Sequence, residues 1–235
     1  MSGKQSAKLR FISFIEQKIL SGEYAVDQKL PPERELAEQT GISRITVHAA
    51  LAELATKKVL RIVPRQGTFV GDFKKDGTLE LYGALLKYTG SVERDLFHSL
   101  TEFREILETA SARMAAARRT PQDIEQLKRL LADERSAKSP QEAARLDYLF
   151  HLQITKASGN IVVPMTLRSI ENMYMSLVKQ FYELLGERET VYEFHERLIC
   201  AIECGNADQA DAIMKDMLDH GRSVIEKQFT ENTKG

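Results

Sequence analysis

The chain has 235 residues, of which 43% are hydrophobic and 29% charged, a composition that excludes a disordered protein and, at roughly 100–150 residues per domain, suits one large domain or two modest ones. The sequence shows no secretory signal, no apolar run near the roughly 20 residues of a membrane span, and only two cysteines, which excludes a disulfide framework and predicts a cytoplasmic protein. The net charge is −1, but residues 1–75 carry +5 and residues 76–235 carry −6, so the first part is the one expected to face a polyanion.

Three helices are predicted in the basic part of the chain. The first covers residues 8–20, where apolar side chains recur at helical spacing. The second follows Pro31-Pro32 and is broken by Gly41. The third runs from Arg44 to about Lys57, with Ser43 as its N-cap. Its inward stripe is formed by Val47, Ala50, Leu51 and Leu54.

The periodicity changes after the third helix. Residues 60–63 (LRIV) alternate as a short strand, residues 64–67 (PRQG) are typical of a turn, and residues 68–70 (TFV) form a second strand. Three helices closed by a two-stranded hairpin predict a winged helix-turn-helix domain, in which the helices on either side of Gly41 form the helix-turn-helix pair.

The rest of the chain is predicted to be helical, after a charged, glycine-containing linker at 71–77. Helices are expected at about 78–90, 92–118, 121–137, 140–158, 161–185, 188–204 and 207–229. The fold class is therefore mainly α. The predicted order is a winged helix-turn-helix domain at 1–72, a linker and connecting helix at 73–91, and an all-helical bundle domain at 92–230.

One face of the third helix has the chemistry of a DNA-reading surface. Arg44 and His48 are four residues apart and share that face with Ile45. In helix-turn-helix proteins such N-terminal positions contact base edges, where arginine pairs with guanine and an apolar side chain packs on the thymine methyl group. Arg34 on the preceding helix and Arg65 at the wing tip are placed to meet phosphates or a minor groove. The alternative is a solvated, charged helix face.

Four residues of the second part suit a metal ion. Asp147 and His151 are one helical turn apart and so project from the same face, and His195 and His220 lie on two later helices. One carboxylate with three imidazoles binds zinc, nickel and other first-row metals. Spacing alone leaves open the alternative that these are hydrogen-bonded packing residues.

A distinctive pattern lies in residues 30–37 (LPPERELA), 41–44 (GISR) and 67–70 (GTFV), with Val47 and Ala50-Leu51 between them. Over about 65 residues this part of the chain resembles the GntR family of bacterial transcription regulators. It implies binding to double-stranded DNA, with contacts from Arg34, Ser43, Arg44, Thr46, His48, Arg65 and Gly67. Position 48 departs from the family pattern, which usually has arginine there. Because imidazole reads bases differently, the family's operator sequence is not carried over.

A second pattern consists of residues 147–151 (DYLFH), 157–160 (ASGN) and 201–208 (AIECGNAD), together with His195 and His220. Over about residues 92–225 it resembles the FCD effector domain of the FadR subgroup of that family. In metal-binding members the matching residues are ligands, so the resemblance implies a divalent metal on Asp147, His151, His195 and His220. Zinc is the first candidate, with nickel or manganese as alternatives.

The same resemblance implies an effector pocket beside the metal. Arg104 matches a pocket arginine that helps to hold the ligand, and a guanidinium beside a metal suits a small carboxylate. Asn160 and Arg222 are further candidates, although Asn160 could instead cap a turn and Arg222 could be a surface charge. Cys200 and Cys204 are expected to be reduced, partly buried thiols.

These features predict a transcriptional regulator of the bacterial cytoplasm, associated with the nucleoid when bound to its operator. We expect a homodimeric repressor that binds a pseudo-palindromic operator and responds to a small organic acid. We do not expect an enzyme. One alternative keeps DNA binding but makes the metal purely structural. The other is a metal-dependent hydrolase. Two observations count against it: four protein ligands would leave few open positions on the metal, and no nucleophile or general-base motif accompanies them.

Overall fold

The computed structural model describes residues 6–77, 94–185 and 188–231. The chain divides into two compact units, residues 1–89 and 90–235, and each is described by itself. The helix predicted at 78–90 lies outside the described residues. Among the residues that are described, no helix is both long enough and apolar enough to cross a membrane.

The first unit begins with three helices: α1 (Ala7–Leu20), α2 (Glu33–Thr40) and α3 (Arg44–Thr56). Helix α2 ends at Gly41, whose φ of +66° lies in the left-handed region that glycine adopts without steric cost. Two residues later Ser43 begins α3, and its hydroxyl accepts a hydrogen bond from the Thr46 amide at 3.3 Å. The short connection makes α2 and α3 a helix-turn-helix pair.

A two-stranded antiparallel hairpin follows, formed by β1 (Leu60–Val63) and β2 (Gly67–Val70). The strands pair from Leu60 opposite Val70 to Val63 opposite Gly67. Arg65 occupies the turn with a φ of 63°. The hairpin is tied back to the helices because the Leu30 amide donates to the Thr68 carbonyl at 2.8 Å. A short helix, α4 (Phe73–Asp76), lies where the sequence predicted only a linker.

One apolar core holds the first unit together. It joins α1, α3 and the hairpin, and its fully buried members include Phe11, Ile15, Leu36, Leu54 and Val70. Burying such a side chain contributes about 1.5–3 kcal/mol each. This core fixes the angle between α2 and α3 and therefore the surface that α3 exposes.

The second unit consists of helices as far as it is described. They are α5 (Arg94–Arg118), α6 (Pro121–Arg135), α7 (Pro140–Ala157), α8 (Val162–Ser169), α9 (Glu171–Leu185), α10 (Arg188–Glu203) and α11 (Ala207–Glu231). The predicted fold class, a winged helix-turn-helix followed by an all-helical bundle, is confirmed.

The single helix expected at 161–185 is wrong, because it is two helices that break at Ile170. The Ile170 amide bonds the Leu167 carbonyl at 3.2 Å, one residue tighter than an α-helix, and the Ser169 hydroxyl donates to the Thr166 carbonyl. The apolar pattern gave no sign of this break because Ile170 is itself buried.

Helix α7 lies at the centre of the bundle. It packs against α5, α6, α8 and α9, and Phe150 and Ile154 are among its fully buried side chains. Helices that are buried on most sides are apolar around most of their circumference. Asp147 and His151 are buried ionisable side chains on this helix, and they therefore require an explanation.

Candidate metal centre and DNA-reading face

Three of the four predicted metal ligands come together inside the bundle. Asp147 and His151 project from α7, and His195 projects from α10. A carboxylate oxygen and one nitrogen of each imidazole all lie within 4.8 Å of one another, and the three residues are buried. The one-turn spacing of Asp147 and His151 brings them to the same face, and α10 supplies the third group from across the bundle.

His195 is oriented by a carboxylate that the sequence did not identify. Its Nδ1 lies 2.8 Å from Oε2 of Glu134 on α6, and its ring stacks on Phe150 with centroids 3.9 Å apart. The opposite nitrogen, Nε2, is buried and has no hydrogen-bond partner among the described residues. A buried polar atom without a partner costs about 1–3 kcal/mol, and a metal ion would supply the missing partner.

His151 is held in a similar way. Its Nδ1 contacts Oε2 of Glu108 on α5, and its Nε2 lies 4.0 Å from Oδ1 of Asp147. A carboxylate on one ring nitrogen that directs the other towards a metal is the usual outer-shell arrangement of ligating histidines. The contact from Nδ1 to Glu108 does not form a hydrogen bond among the described residues, but it leaves Nε2 of His151 on the side of Asp147.

Two tyrosines of α9 orient the carboxylate of Asp147. The Tyr174 hydroxyl donates to Oδ1 at 2.7 Å, and the Tyr182 hydroxyl donates to Oδ2 at 3.3 Å. Burial raises the pKa of the Tyr174 hydroxyl well above its ordinary value, although Arg104 opposes this shift. The hydroxyl therefore stays protonated and available as a donor to Asp147.

A buried ion pair lies directly behind the centre. Arg104 Nε donates to Glu108 Oε1 at 2.6 Å, and the guanidinium lies over the Tyr174 ring at 4.1 Å. Burial alone would raise the pKa of Glu108, but Arg104 and His151 face the carboxylate and lower its pKa to about 2. Glu108 is therefore a fixed negative charge that meets both the arginine and a candidate ligand. Its spacing of four residues from Arg104 was the available sequence signal.

A cavity of about 60 Å³ opens beside the centre. Asp147 and His151 line it together with His220, Arg104 and Arg222. His220 thus reaches the same cavity as two of the other predicted ligands, although it is not part of the three-residue cluster. Arg222 also forms ion pairs, with Asp219 and at 3.8 Å with Glu105. The volume is several times the roughly 10–15 Å³ that one water molecule needs in this measure, so the cavity has room for a small molecule.

Asn160 does not line this cavity. It is exposed, and its side-chain oxygen accepts a hydrogen bond from the Val162 amide at 2.9 Å, at the start of α8. The cysteines also differ from expectation, since Cys200 and Cys204 are exposed rather than partly buried. The last turn of α10 and the residue that follows it face solvent at those two positions.

The predicted DNA-contact residues lie on the surface of the first unit. Ile45 is 85% exposed, Arg44 and His48 are exposed beside it on α3, and Thr46 is half-buried. Arg34 pairs with Glu38 at 3.4 Å, and Arg65 is exposed in the hairpin turn. Single exposed apolar side chains are common on protein surfaces, so this face alone leaves both a DNA-reading surface and a solvated helix face open.

Comparison with known proteins decides between the classes that this geometry allows. Residues 12–70 match the family described as bacterial regulatory proteins, gntR family, and residues 99–220 match the FCD domain. The chain belongs to the GntR family. The resemblance seen in the sequence is confirmed, and this GntR regulator is a DNA-binding transcriptional regulator with a C-terminal FCD domain.

Two relatives, both named as regulators, align with the chain over most of their length. The HTH-type transcriptional regulator LutR of Bacillus subtilis (strain 168) is 28% identical, over 91% of this chain and 99% of LutR. A relative from Escherichia coli (strain K12), whose name links it to an L-lactate dehydrogenase operon, is 32% identical over 87% of this chain and 80% of its own. The solved structure of Streptococcus agalactiae GntR aligns with a TM-score of 0.51 and 29% identity, over 92% of this chain and 99% of that one.

Proposed function

We propose that this GntR regulator is a homodimeric repressor whose affinity for a pseudo-palindromic operator is controlled by a small carboxylate. The carboxylate would bind beside a divalent metal in the FCD domain. Zinc is the first candidate, and the four ligands would be Asp147, His151, His195 and His220.

One observation carries the metal part of the proposal. Two buried histidines each turn Nδ1 towards a carboxylate, Glu134 or Glu108, and His195 keeps a buried Nε2 without a partner among the described residues. Packing histidines normally satisfy their buried nitrogens within the protein. Aligned imidazoles beside Asp147 therefore favour a bound cation over the alternative of packing residues.

The cavity supports a carboxylate as the effector. Arg104 and Arg222 line the same cavity as Asp147 and His151. Because each arginine is already paired with a carboxylate of the protein, the charge that would attract an organic acid is that of the bound metal. A bound divalent metal would supply a Lewis acid to which one carboxylate oxygen coordinates. The guanidiniums would bind the remaining polar atoms of the ligand, because planar fork geometry matches a carboxylate.

The names of relatives suggest the first compounds to test. The E. coli relative is named for an L-lactate dehydrogenase operon, so a 2-hydroxycarboxylate of the size of lactate is the first class. A molecule of this size suits the cavity of about 60 Å³, which has room for a few groups of the size of a water molecule. An effector releases DNA only if it binds the DNA-incompetent arrangement more tightly.

Metal content measured by plasma mass spectrometry tests the centre itself. The protein would be stripped with a chelator, dialysed against zinc and assayed beside the His195→Ala variant. We expect about one zinc per chain in the wild type and a loss of most of it in the variant, because one of the buried ligands is gone. His98→Ala is the matched control, since His98 is a partly exposed histidine outside the three-residue cluster that pairs with Glu226 at 3.6 Å.

The same preparation separates an effector site from a structural metal. If the metal serves an effector pocket, L-lactate should raise the melting temperature of the zinc-loaded protein and not that of the stripped protein. A metal that raises the melting temperature while no member of a carboxylate panel changes it further would favour the structural alternative. Equal zinc content in the wild type and the His195→Ala variant would contradict the assigned centre.

A further inference from the structure

Position 48, where this chain departs from the GntR pattern, is held by a contact from the neighbouring helix. His48 Nδ1 lies 2.8 Å from Oε1 of Glu33. Glu33 is the first residue of α2, and His48 lies on α3. The contact therefore crosses between the two helices of the helix-turn-helix pair and ties the exposed imidazole to the scaffold.

This contact determines which ring nitrogen carries the proton. An ionised carboxylate can only accept hydrogen bonds, so Nδ1 of His48 must be the donor to Glu33. In a neutral imidazole the other nitrogen, Nε2, is then an acceptor. The side chain of His48 is 69% exposed and that of Glu33 is 36% exposed, so the ring edge opposite Glu33 is open to a ligand.

The contact gives His48 a defined preference among bases. In the major groove adenine presents its N6 amine and cytosine its N4 amine, whereas guanine and thymine present the acceptors O6 and O4. We infer that Glu33 makes His48 a hydrogen-bond acceptor, so that the operator carries an amino base, adenine or cytosine, at the position that residue 48 contacts. The inference rests on the proposed placement of α3 in the major groove.

An arginine at position 48 would have the opposite preference. Guanidinium only donates hydrogen bonds, and it pairs best with the O6 and N7 acceptors of guanine. The neighbouring contacts need not change, since Arg44 and Ile45 occupy the preceding turn of the same exposed face. The departure at position 48 thus predicts a change of one base in each half of the operator, with the flanking bases retained.

Selection from a library of DNA duplexes tests this directly. Full-length protein would be incubated at about pH 8 with duplexes that contain about 20 randomised base pairs, and the bound fraction would be sequenced. We expect the wild type to enrich a site with adenine or cytosine at one position of each half. His48→Arg should enrich the same site with guanine there. One hydrogen bond makes this preference about 2- to 10-fold.

A matched pair of α2 variants isolates the role of Glu33 as a positioning residue. Glu33→Ala should lose the preference for an amino base at that one position, because the imidazole is then free to exchange its tautomers. Glu35→Ala should keep it. Both variants remove one negative charge from the first turn of α2, but Glu35 contacts Gln39 of its own helix instead of a residue of α3. Circular dichroism would confirm that each variant is folded.

The outcomes distinguish this inference from the wider function. If the wild type and His48→Arg enriched the same base at every position, or if Glu33→Ala kept the full preference, the inference would be wrong while DNA recognition stood. If the wild type enriched guanine at the position that changes with residue 48, the inference would also be wrong. If no site were enriched at all, sequence-specific DNA binding would itself be contradicted, and the inference with it.

Discussion

At the level of single residues, the sequence predicted the candidate ligands but not the groups that orient them. Asp147 and His151 could be paired because residues four apart share a helix face. Glu134 meets His195 from 61 positions away, and Tyr174 meets Asp147 from 27 positions away. Such contacts depend on how the helices pack against one another. Helical periodicity relates only residues within one helix, so it cannot predict them. These orienting side chains are therefore findings of the structure.

Removing the carboxylate behind His195 should weaken metal binding without removing a ligand. For Glu134→Gln we expect zinc affinity to fall about 10- to 100-fold, as is typical when an outer-shell partner of a ligating histidine is changed. A competition titration against a chromogenic chelator measures the change. Asp133→Asn is the control, because it alters the adjacent exposed residue of α6. Equal affinities for wild type and Glu134→Gln would show that this carboxylate does not position the ring.

At the level of secondary-structure elements, the local signals were reliable where a cap or a turn residue marked the boundary. Ser43 and Gly41 predicted the start of α3 and the end of α2, and the structure places both boundaries there. The break at Ile170 was missed because the apolar spacing continues through it and no glycine, proline or cap residue marks it. Helix ends with chemical markers are predictable, and breaks inside an apolar stripe are not.

The N-cap of helix α3 offers a test at this scale. Ser43→Ala removes the side chain that accepts from the Thr46 amide, which should lower the free energy of unfolding by about 1 kcal/mol. Ser43→Asp should recover most of the loss, since aspartate caps equally well. Urea denaturation followed by circular dichroism measures both. If Ser43→Ala were as stable as the wild type, the hydroxyl would not be an effective cap.

At the level of the whole molecule, the net charge of −1 is the sum of two opposite parts. The basic part coincides with the winged helix-turn-helix unit and the acidic part with the FCD unit. Electrostatic attraction to DNA should therefore arise from the first unit. It should weaken as the salt concentration rises, because the release of counterions from DNA is then less favourable. Composition alone showed this asymmetry, but only the family and the fold gave it a meaning.

Salt titration of DNA affinity tests that division. Arg65→Gln, in the hairpin turn, should reduce the slope of log affinity against log salt by about one if Arg65 contacts a phosphate. Arg129→Gln is the comparison, because it also removes one positive charge but from α6 of the second unit. Fluorescence anisotropy over 50–300 mM salt, roughly the range in which such slopes are measured, gives both values. Equal slopes for the two variants would argue against a wing contact.

The DNA affinity of this regulator should depend on an organic acid bound at its metal centre, and a single binding assay decides whether it does. The dissociation constant for a duplex selected from the randomised library would be determined by anisotropy for zinc-loaded and zinc-stripped protein, with and without L-lactate and related carboxylates. We expect one carboxylate to raise the dissociation constant of the zinc-loaded protein by about 5- to 150-fold, the usual range of allosteric coupling, and to leave that of the stripped protein unchanged. If the dissociation constant were the same under every condition, with zinc confirmed on the protein, control of DNA binding through the metal centre would be ruled out.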